Sequence, residues 1–310
     1  MTKNIKVVIP VFNDWEALKL LLENTRQLYT NTDIRLSFLI VNDSSTLPYH
    51  PSAFKDFPVE VIHLIRNIGH QRAIAIGLSY LAHNDGYDKV IVMDGDGEDK
   101  PEDIAKLVAR SDQQHEHIIF AERSKRSEGP TFRIFYFFYR LVFKMLTGKA
   151  ITFGNFCIIP ENKVKKTAFV SEIWNNFPGG VIRSRLLYSS VPINRGKRLA
   201  GKSKMNFVSL ILHGLSAVSV LFDTAAVRIL IFVSIMIGCS AVGTIIVLYL
   251  KFIANEATPG WASSLILAFF TISLQGFFIS LFILFNVLNT RTSNNFIPLE
   301  EYGRYIDYIE

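Results

Sequence analysis

Residues 88–99 read DKVIVMDGDGED. An apolar, strand-forming run (Val90, Ile91, Val92) stops at Asp94 and is followed by Asp96, Glu98 and Asp99, four carboxylates within six positions. A buried strand that delivers this much negative charge to its own end needs something to offset the repulsion. An EF-hand loop fails, because counting from Asp94 puts Asp99 at position 6 and Ala105 at position 12, where Gly and Glu are required. Capping of the next helix by Asp99 or Asp103, with the other acids facing water, accounts for one or two carboxylates but not four. A divalent cation accounts for the set. Asp-x-Asp presents two hard oxygen ligands on one turn, and Gly95 and Gly97 allow the sharp bend and the close approach of a ligand.

Working outward, strand and helix periods alternate through the first 125 residues. IKVVIPVF (5–12), RLSFLIVND (35–43), VEVIHLI (59–65), KVIVMD (89–94) and HIIFAER (117–123) read as strands. Helices are predicted from about Asp14 (a candidate N-cap) to Tyr29, over about 70–83, and over KPEDIAKLVARS with Pro101 in its first turn. Strands separated by single helices imply an α/β fold with a mostly parallel sheet and ligands at the carboxyl ends of the strands. Pro10, Phe12 and Asp14 close the first strand, and Asn42, Asp43 and Ser44 close the second, so three polar clusters are expected at one crevice. An Asp there can accept the N–H of a uracil ring or a ribose hydroxyl.

The last third differs. Ile229–Leu250 and Ala257–Thr290 contain no charged residue, and each exceeds the roughly 20 apolar residues that span a bilayer core. Two transmembrane helices are expected rather than buried core helices, which usually show a polar stripe. KNIKVVIPVF does not have a secretory-signal pattern, so the long N-terminal part is expected in the cytosol, with both spans returning the tail to that side. Lys197, Arg198, Lys202, Lys204 and Arg228 before the first span and Arg291 after the second agree with that orientation. FRIFYFFYRLVFKMLTG (132–148) and NFVSLILHGLSAVSVLFD (206–223) read as surface-lying amphipathic helices. The expected organisation is a core over 1–130, an acceptor side with interfacial helices over 131–224, two spans over 225–291 and a cytosolic tail over 292–310. Cys157 and Cys239, in a predicted strand and a predicted membrane helix, support neither a disulfide framework nor a metal site.

The net charge of +6 is concentrated in 123–149 and 183–204, among aromatic and aliphatic residues, which favours a membrane surface and phosphate ligands over nucleic acid. Neither a dinucleotide Gly-x-Gly-x-x-Gly nor a P-loop is present, leaving dehydrogenase and kinase readings unsupported.

IPVFND, VNDSS, RNIGHQRAIAIG (66–77) and MDGDGED, in this order, resemble the inverting family-2 glycosyltransferases of GT-A fold. AERSKR (121–126), GNFCIIP (154–160), RLAGKSKMN (198–206) and the paired spans resemble more narrowly the polyprenyl-phosphate branch, which includes dolichyl-phosphate mannose synthase and the undecaprenyl-phosphate sugar transferases. The resemblance implies that Pro10, Phe12, Asp14 and Asp43 contact the nucleoside of a UDP- or GDP-linked sugar. It implies that Asp94 and Asp96, with Glu98, hold Mg²⁺ or Mn²⁺ against the diphosphate. Arg123, Arg126 and Arg133 match arginines expected on donor and lipid phosphates; Arg198, Ser203 and Lys204 match a segment that closes over the diphosphate. Glu98 stands where that branch often has Gln, and DGDGED departs from the more usual DADLQD at three places. His70 reads as a structural or nucleotide-side group, and NNFPGGVIRSR (175–185) belongs to the sugar and acceptor side.

The implied reaction is inverting transfer to a polyprenyl phosphate at the cytosolic face of a membrane of bacterial inner-membrane type. Asp96, Asp99, Arg123 and Arg198 are then the catalytic candidates, with Asp99 as a base or orienting group. A phosphate acceptor is already anionic near neutral pH and needs no strong base. A rival family-2 transferase acting on a glycolipid or polysaccharide hydroxyl would need one, and a non-catalytic nucleotide-sugar-binding anchor would leave the acids and cations idle. A homo-oligomer is compatible with either enzyme.

Overall fold

The computed structural model describes residues 2–123, 141–148, 153–201, 207–254, 260–292 and 296–310. The chain forms two compact units, one made of Met1–Tyr136, Ala150–Val220 and Asn295–Glu310, the other of Phe137–Lys149 and Leu221–Asn294.

The first unit is the α/β body. Its elements run β1 (Lys3–Val11), α1 (Trp15–Tyr29), β2 (Ile34–Asn42), β3 (Val59–Leu64), α2 (His70–Leu81), β4 (Lys89–Val92), α3 (Pro101–Gln113), β5 (Ile118–Arg123), β6 (Phe153–Pro160), α4 (Glu161–Ala168), α5 (Phe177–Arg183), β7 (Tyr188–Ile193) and α6 (Phe207–Val220). Among the described residues the sheet has eight strands in the order β7-β5-β6-β4-β1-β2-β3-β8, the last supplied by Ile306–Ile309. β1 pairs in parallel with β2 and β4, β2 with β3 and β5 with β7, while β6 runs antiparallel to β4 and β5 and β8 antiparallel to β3.

Both faces are covered, as near-continuous apolar strands require. Val7, Ile9 and Val11 of β1 join Leu18, Leu21 and Leu22 of α1 and Ile104 and Leu107 of α3 on one face. Val8, on the opposite face of the same strand, joins Ile74 and Leu78 of α2 and Phe177 of α5. Strand order reverses between β1 and β4, the switch point at which open α/β sheets form their crevice.

The second unit contains α7 (Phe222–Phe252), α8 (Trp261–Thr292) and a helical stretch at 141–147. α7 and α8 are long and apolar enough to cross a membrane, with mean hydropathies of 2.5 and 2.2. They pack closely where side chains are smallest: Gly276 faces Val233 and Ile237, with room for little more than hydrogen. Arg228 donates to the Lys144 and Met145 carbonyls at 3.3 and 2.8 Å, covering the C-terminal end of the 141–147 helix.

Three readings change. The single surface helix expected over 206–223 is interrupted: α6 ends at Val220, Leu221 leaves helical geometry (φ −107, ψ 25), and α7 begins at Phe222. Of the helix expected at 132–148, only 141–148 falls within the described residues, and 141–147 is helical. The segment expected only as a tail carries structure of its own: it forms α9 (Pro298–Glu301) and then β8, just beyond which the Glu310 N–H and C=O both bond Val61 at 2.9 and 2.8 Å.

Candidate active site

The parallel registers Val11↔Asn42 and Val8↔Val92 bring the carboxyl ends of β1, β2 and β4 side by side. The expected convergence of polar clusters is therefore present, with the acid turn 94–99 on its β4 side.

Three acids of that turn are each answered by a base from elsewhere in the first unit. Asp94 Oδ1 is 3.0 Å from His70 Nε2, at the N-terminus of α2. Asp96 Oδ2 accepts from Arg198 at 3.1 Å, and the same guanidinium reaches the Asp14 carboxylate at the end of β1. Glu98 is taken by Arg195. The loop after β7 is laced to the turn by backbone as well: Gly196 N–H donates to Glu98 C=O at 2.7 Å and Leu199 N–H to Asp96 C=O at 2.9 Å. Gly97, at φ +83, has Leu199 where a Cβ would stand, and a Cβ on Gly196 would meet the Gly97 carbonyl at 2.7 Å. Side chains at either position would pry the loop off the turn.

Asp99 is 1% exposed and accepts the Asp94 N–H at 3.0 Å. Buried there, it holds the backbone of Asp94 at the start of the turn. Asp43 is 3% exposed, and its two oxygens accept the Ile68 and Gly69 N–H groups at 2.7 and 2.9 Å, so it holds the turn that launches α2. Burial pushes its carboxyl up, partly countered by those two bonds. Asp14 occupies the N-cap position of α1 but makes no side-chain cap bond; its carboxylate is committed to Arg198 instead. Pro10 is buried in β1, Phe12 beside it is 39% exposed, and Arg123 ends β5. Arg126, Arg133, Ser203 and Lys204 lie outside the described residues.

The expected three-carboxylate seat is not formed: among the described residues no three acids or histidines converge as metal ligands, because Arg195 holds Glu98 and Arg198 holds Asp96. Asp94 and Asp96 alone still fit a hard divalent cation. Burial and then the neighbouring Asp94 push the Asp96 carboxyl up to about 6, against the pull of Arg198 and Arg195. A carboxylate pushed up by a neighbouring carboxylate is relieved by a cation shared between the two. Desolvation alone would lower the His70 imidazole, but Asp94, then Asp99 and Asp96, outweigh it and hold the ring above its ordinary value.

Sequence reasoning missed Arg195 and the His70–Asp94 contact. Glu98 was the available signal for the first, since a charged residue replacing an expected neutral Gln at a half-buried turn needs a counter-ion.

Residues 6–174 match the model of the family described as glycosyl transferase family 2. The chain belongs to this family. This glycosyltransferase is also 26% identical, over 281 residues covering 86% of it and 84% of the relative, to the uncharacterized glycosyltransferase YkcC of Bacillus subtilis (strain 168). Its fold resembles that of glucosyl-3-phosphoglycerate synthase from Mycobacterium tuberculosis. The complex with Mn²⁺, UDP-glucose and phosphoglyceric acid aligns at TM-score 0.53, with 14% identity over 72% of this chain and 80% of that one. The complex with phosphoglyceric acid alone also aligns at 0.53, with 12% identity over the same shares. The α/β GT-A-like body with two apolar C-terminal helices thus agrees with the fold class expected from sequence, and the protein is an enzyme, a family-2 glycosyltransferase.

Proposed function

We propose that this enzyme transfers a sugar, with inversion, from a UDP- or GDP-linked donor to a polyprenyl phosphate at a membrane surface. The observation that supports it best is the meeting of Asp14 from β1, Asp94 and Asp96 from β4, and Arg198 at the switch point of the sheet. The acceptor is argued from the two helices apolar enough to cross a membrane and from the resemblance to the polyprenyl-phosphate branch.

In this reading Phe12 lies against the nucleoside, with Pro10 shaping the strand end, Asp14 offering an acceptor and Asp43 holding the turn behind it. A divalent cation, Mg²⁺ or Mn²⁺, held by Asp94 and Asp96 would supply charge neutralisation for the diphosphate. A fold shared with an enzyme crystallised with Mn²⁺ and UDP-glucose is consistent with both groups. Arg198 leaves Asp14 and Asp96 for the donor diphosphate, where its planar fork bonds two oxygens, and Arg123, Ser203 and Lys204 complete that anion site. Arg126 and Arg133 take the lipid phosphate. One oxygen of that phosphate attacks the anomeric carbon, the bond from that carbon to the diphosphate oxygen breaks, and the nucleoside diphosphate leaves with the electron pair. The lipid phosphate monoester becomes a diester, no proton has to be removed by a strong base, and the rate comes from alignment and from stabilised leaving charge.

Full-length protein in nanodiscs, given Mg²⁺ or Mn²⁺, undecaprenyl phosphate and labelled UDP- and GDP-sugars in parallel, tests this. A sugar-phosphate lipid is expected from one donor. Transfer only to glycolipid or polysaccharide hydroxyls would overturn the acceptor, and no transfer with any donor would overturn the donor class.

A further inference from the structure

We propose that Tyr308, on the last strand of the chain, is a positioning residue for nucleotide binding, acting through His63 and Asn42 on the loops at 12–14 and 43–47. The inference rests on the nucleotide-sugar reading above and joins Asn13 and Asn42 of the first two motifs to a strand that no motif singled out.

The path can be followed bond by bond within the first unit. β8 sets Tyr308 opposite His63, and the two rings stack at 4.2 Å and 10°. His63 is 6% exposed, and its Nδ1 is 3.0 Å from Asn42 Nδ2. Asn42 Oδ1 accepts the Ser45 N–H at 3.0 Å, so the amide nitrogen must be the end that donates to the ring. His63 Nδ1 is therefore unprotonated, and its hydrogen sits on Nε2, on the side of the Glu310 carboxylate 3.8 Å away. Burial lowers the imidazole against the opposing pull of Glu310 and Asp307, which keeps this neutral form.

Beyond Asn42 the path reaches the donor side. Ser45 Oγ accepts the Asn13 N–H at 2.8 Å, and Asn13 grips the same loop twice more, accepting from Leu47 N–H at 2.8 Å and donating to Thr46 Oγ1 at 2.9 Å. Asn13 (φ 54) and Ser44 (φ 53) both stand in the left-handed region, where residues other than glycine persist only if their surroundings over-determine them. Asn13 separates Phe12 from Asp14, the two side chains assigned to nucleoside contact. A ring stack and neutral hydrogen bonds, buried at Asn42–His63 and partly buried beyond it, thus connect β8 to the left-handed residue between them.

The alternative role for β8 is simply to cover the sheet edge. To separate the two, UDP and GDP, each with Mn²⁺, are titrated calorimetrically into wild-type, Tyr308→Ala and Tyr308→Phe protein, with hydrogen exchange followed at 12–15 and 44–47. Tyr308 is 52% exposed, so its loss leaves the core intact. Tyr308→Ala is expected to weaken the nucleotide that binds by about fivefold, within the range of indirect couplings, and to raise the donor KM with kcat nearly unchanged. The loop amides should lose protection in the same variant, whereas Tyr308→Phe, which keeps the ring, should behave as wild type. An alanine variant that binds normally with protected loops, or a phenylalanine variant as impaired as alanine, overturns the proposal. Should wild-type protein bind neither nucleotide, the donor reading falls, and hydrogen exchange alone decides whether Tyr308 orders the loops.

Discussion

The acid turn at 94–99 and the loop pair at 12–14 and 43–47 lie at neighbouring strand ends and are held by opposite means. The turn is held by charge: three carboxylates are each met by a base from another element, namely His70, Arg198 and Arg195. The loops are tied to one another and to β3 by neutral amide, hydroxyl and imidazole groups in a fixed donor-to-acceptor sequence, while their two carboxylates, Asp14 and Asp43, reach outward to Arg198 and to the 68–69 backbone. Ion pairs at a partly exposed site contribute little net stability and exchange readily for another ion, while the neutral side is anchored on the buried Asn42–His63 bond. The charged side is suited to receive an anionic ligand, and the neutral side to present a preformed wall.

The strongest way to break this contrast is at Asp96. Asp96→Asn should lower sugar transfer by about a hundredfold or more, since it removes a charge that the diphosphate site needs. Its folded carboxyl lies near 6, above the ordinary value, so ionisation at pH 7 works against folding and the variant's melting temperature should not fall. A large drop in melting temperature would show that the turn is a structural brace. Next in size is Arg198→Lys, expected to lose about tenfold in turnover, because one ammonium cannot serve Asp14 and Asp96, or two phosphate oxygens, as a planar fork does. Near-normal kinetics in that variant would remove the bidentate role.

Asp99 gives a sharper, smaller test. Asn at 99 keeps an oxygen for the Asp94 N–H, and Asp99→Asn should retain turnover within about threefold if the acceptor is a phosphate that needs no base. Asp99→Ala strands that N–H and should cost about 1–3 kcal/mol of stability, read by denaturant melts. Loss of transfer in a stable Asp99→Asn protein would favour the hydroxyl acceptor.

The smallest effect belongs to the neutral side. His63 faces Glu310 and Asp307 and the rings of Tyr49 and Tyr308, and its folded value lies below the unfolded 6.5. The unfolded state therefore takes up more protons, so the contribution is complete above about pH 6.5 and fades as pH falls through the folded value. Melting temperature should drop more in wild type than in His63→Gln between pH 7 and 5, and equal slopes would detach His63 from the network.

Much of the crevice was legible because its signals are local. VIVMD and LIVND each change from apolar to acidic within one or two residues, and that switch marks a strand end whatever lies elsewhere. The assignments that shifted depend on distant partners. Asp43 and Asp99 look like ligand residues in sequence, and only the positions of Ile68, Gly69 and the Asp94 N–H show them holding backbone. YSSVPI became β7 despite Pro192, and IDYI became β8 although four residues after an apolar stretch carry almost no periodic signal. In both cases a neighbouring strand supplied the ladder that local propensity did not.

The place of β8 also orders events during synthesis. Residue 310 pairs with residue 61, and both apolar helices lie between them in the chain. Among the described residues, seven strands leave the ribosome before α7 and α8, and the eighth follows them. The outer edge of the sheet is therefore completed only after the entire apolar pair has been made, so a chain cut short anywhere in that pair emerges with β3 as a bare edge.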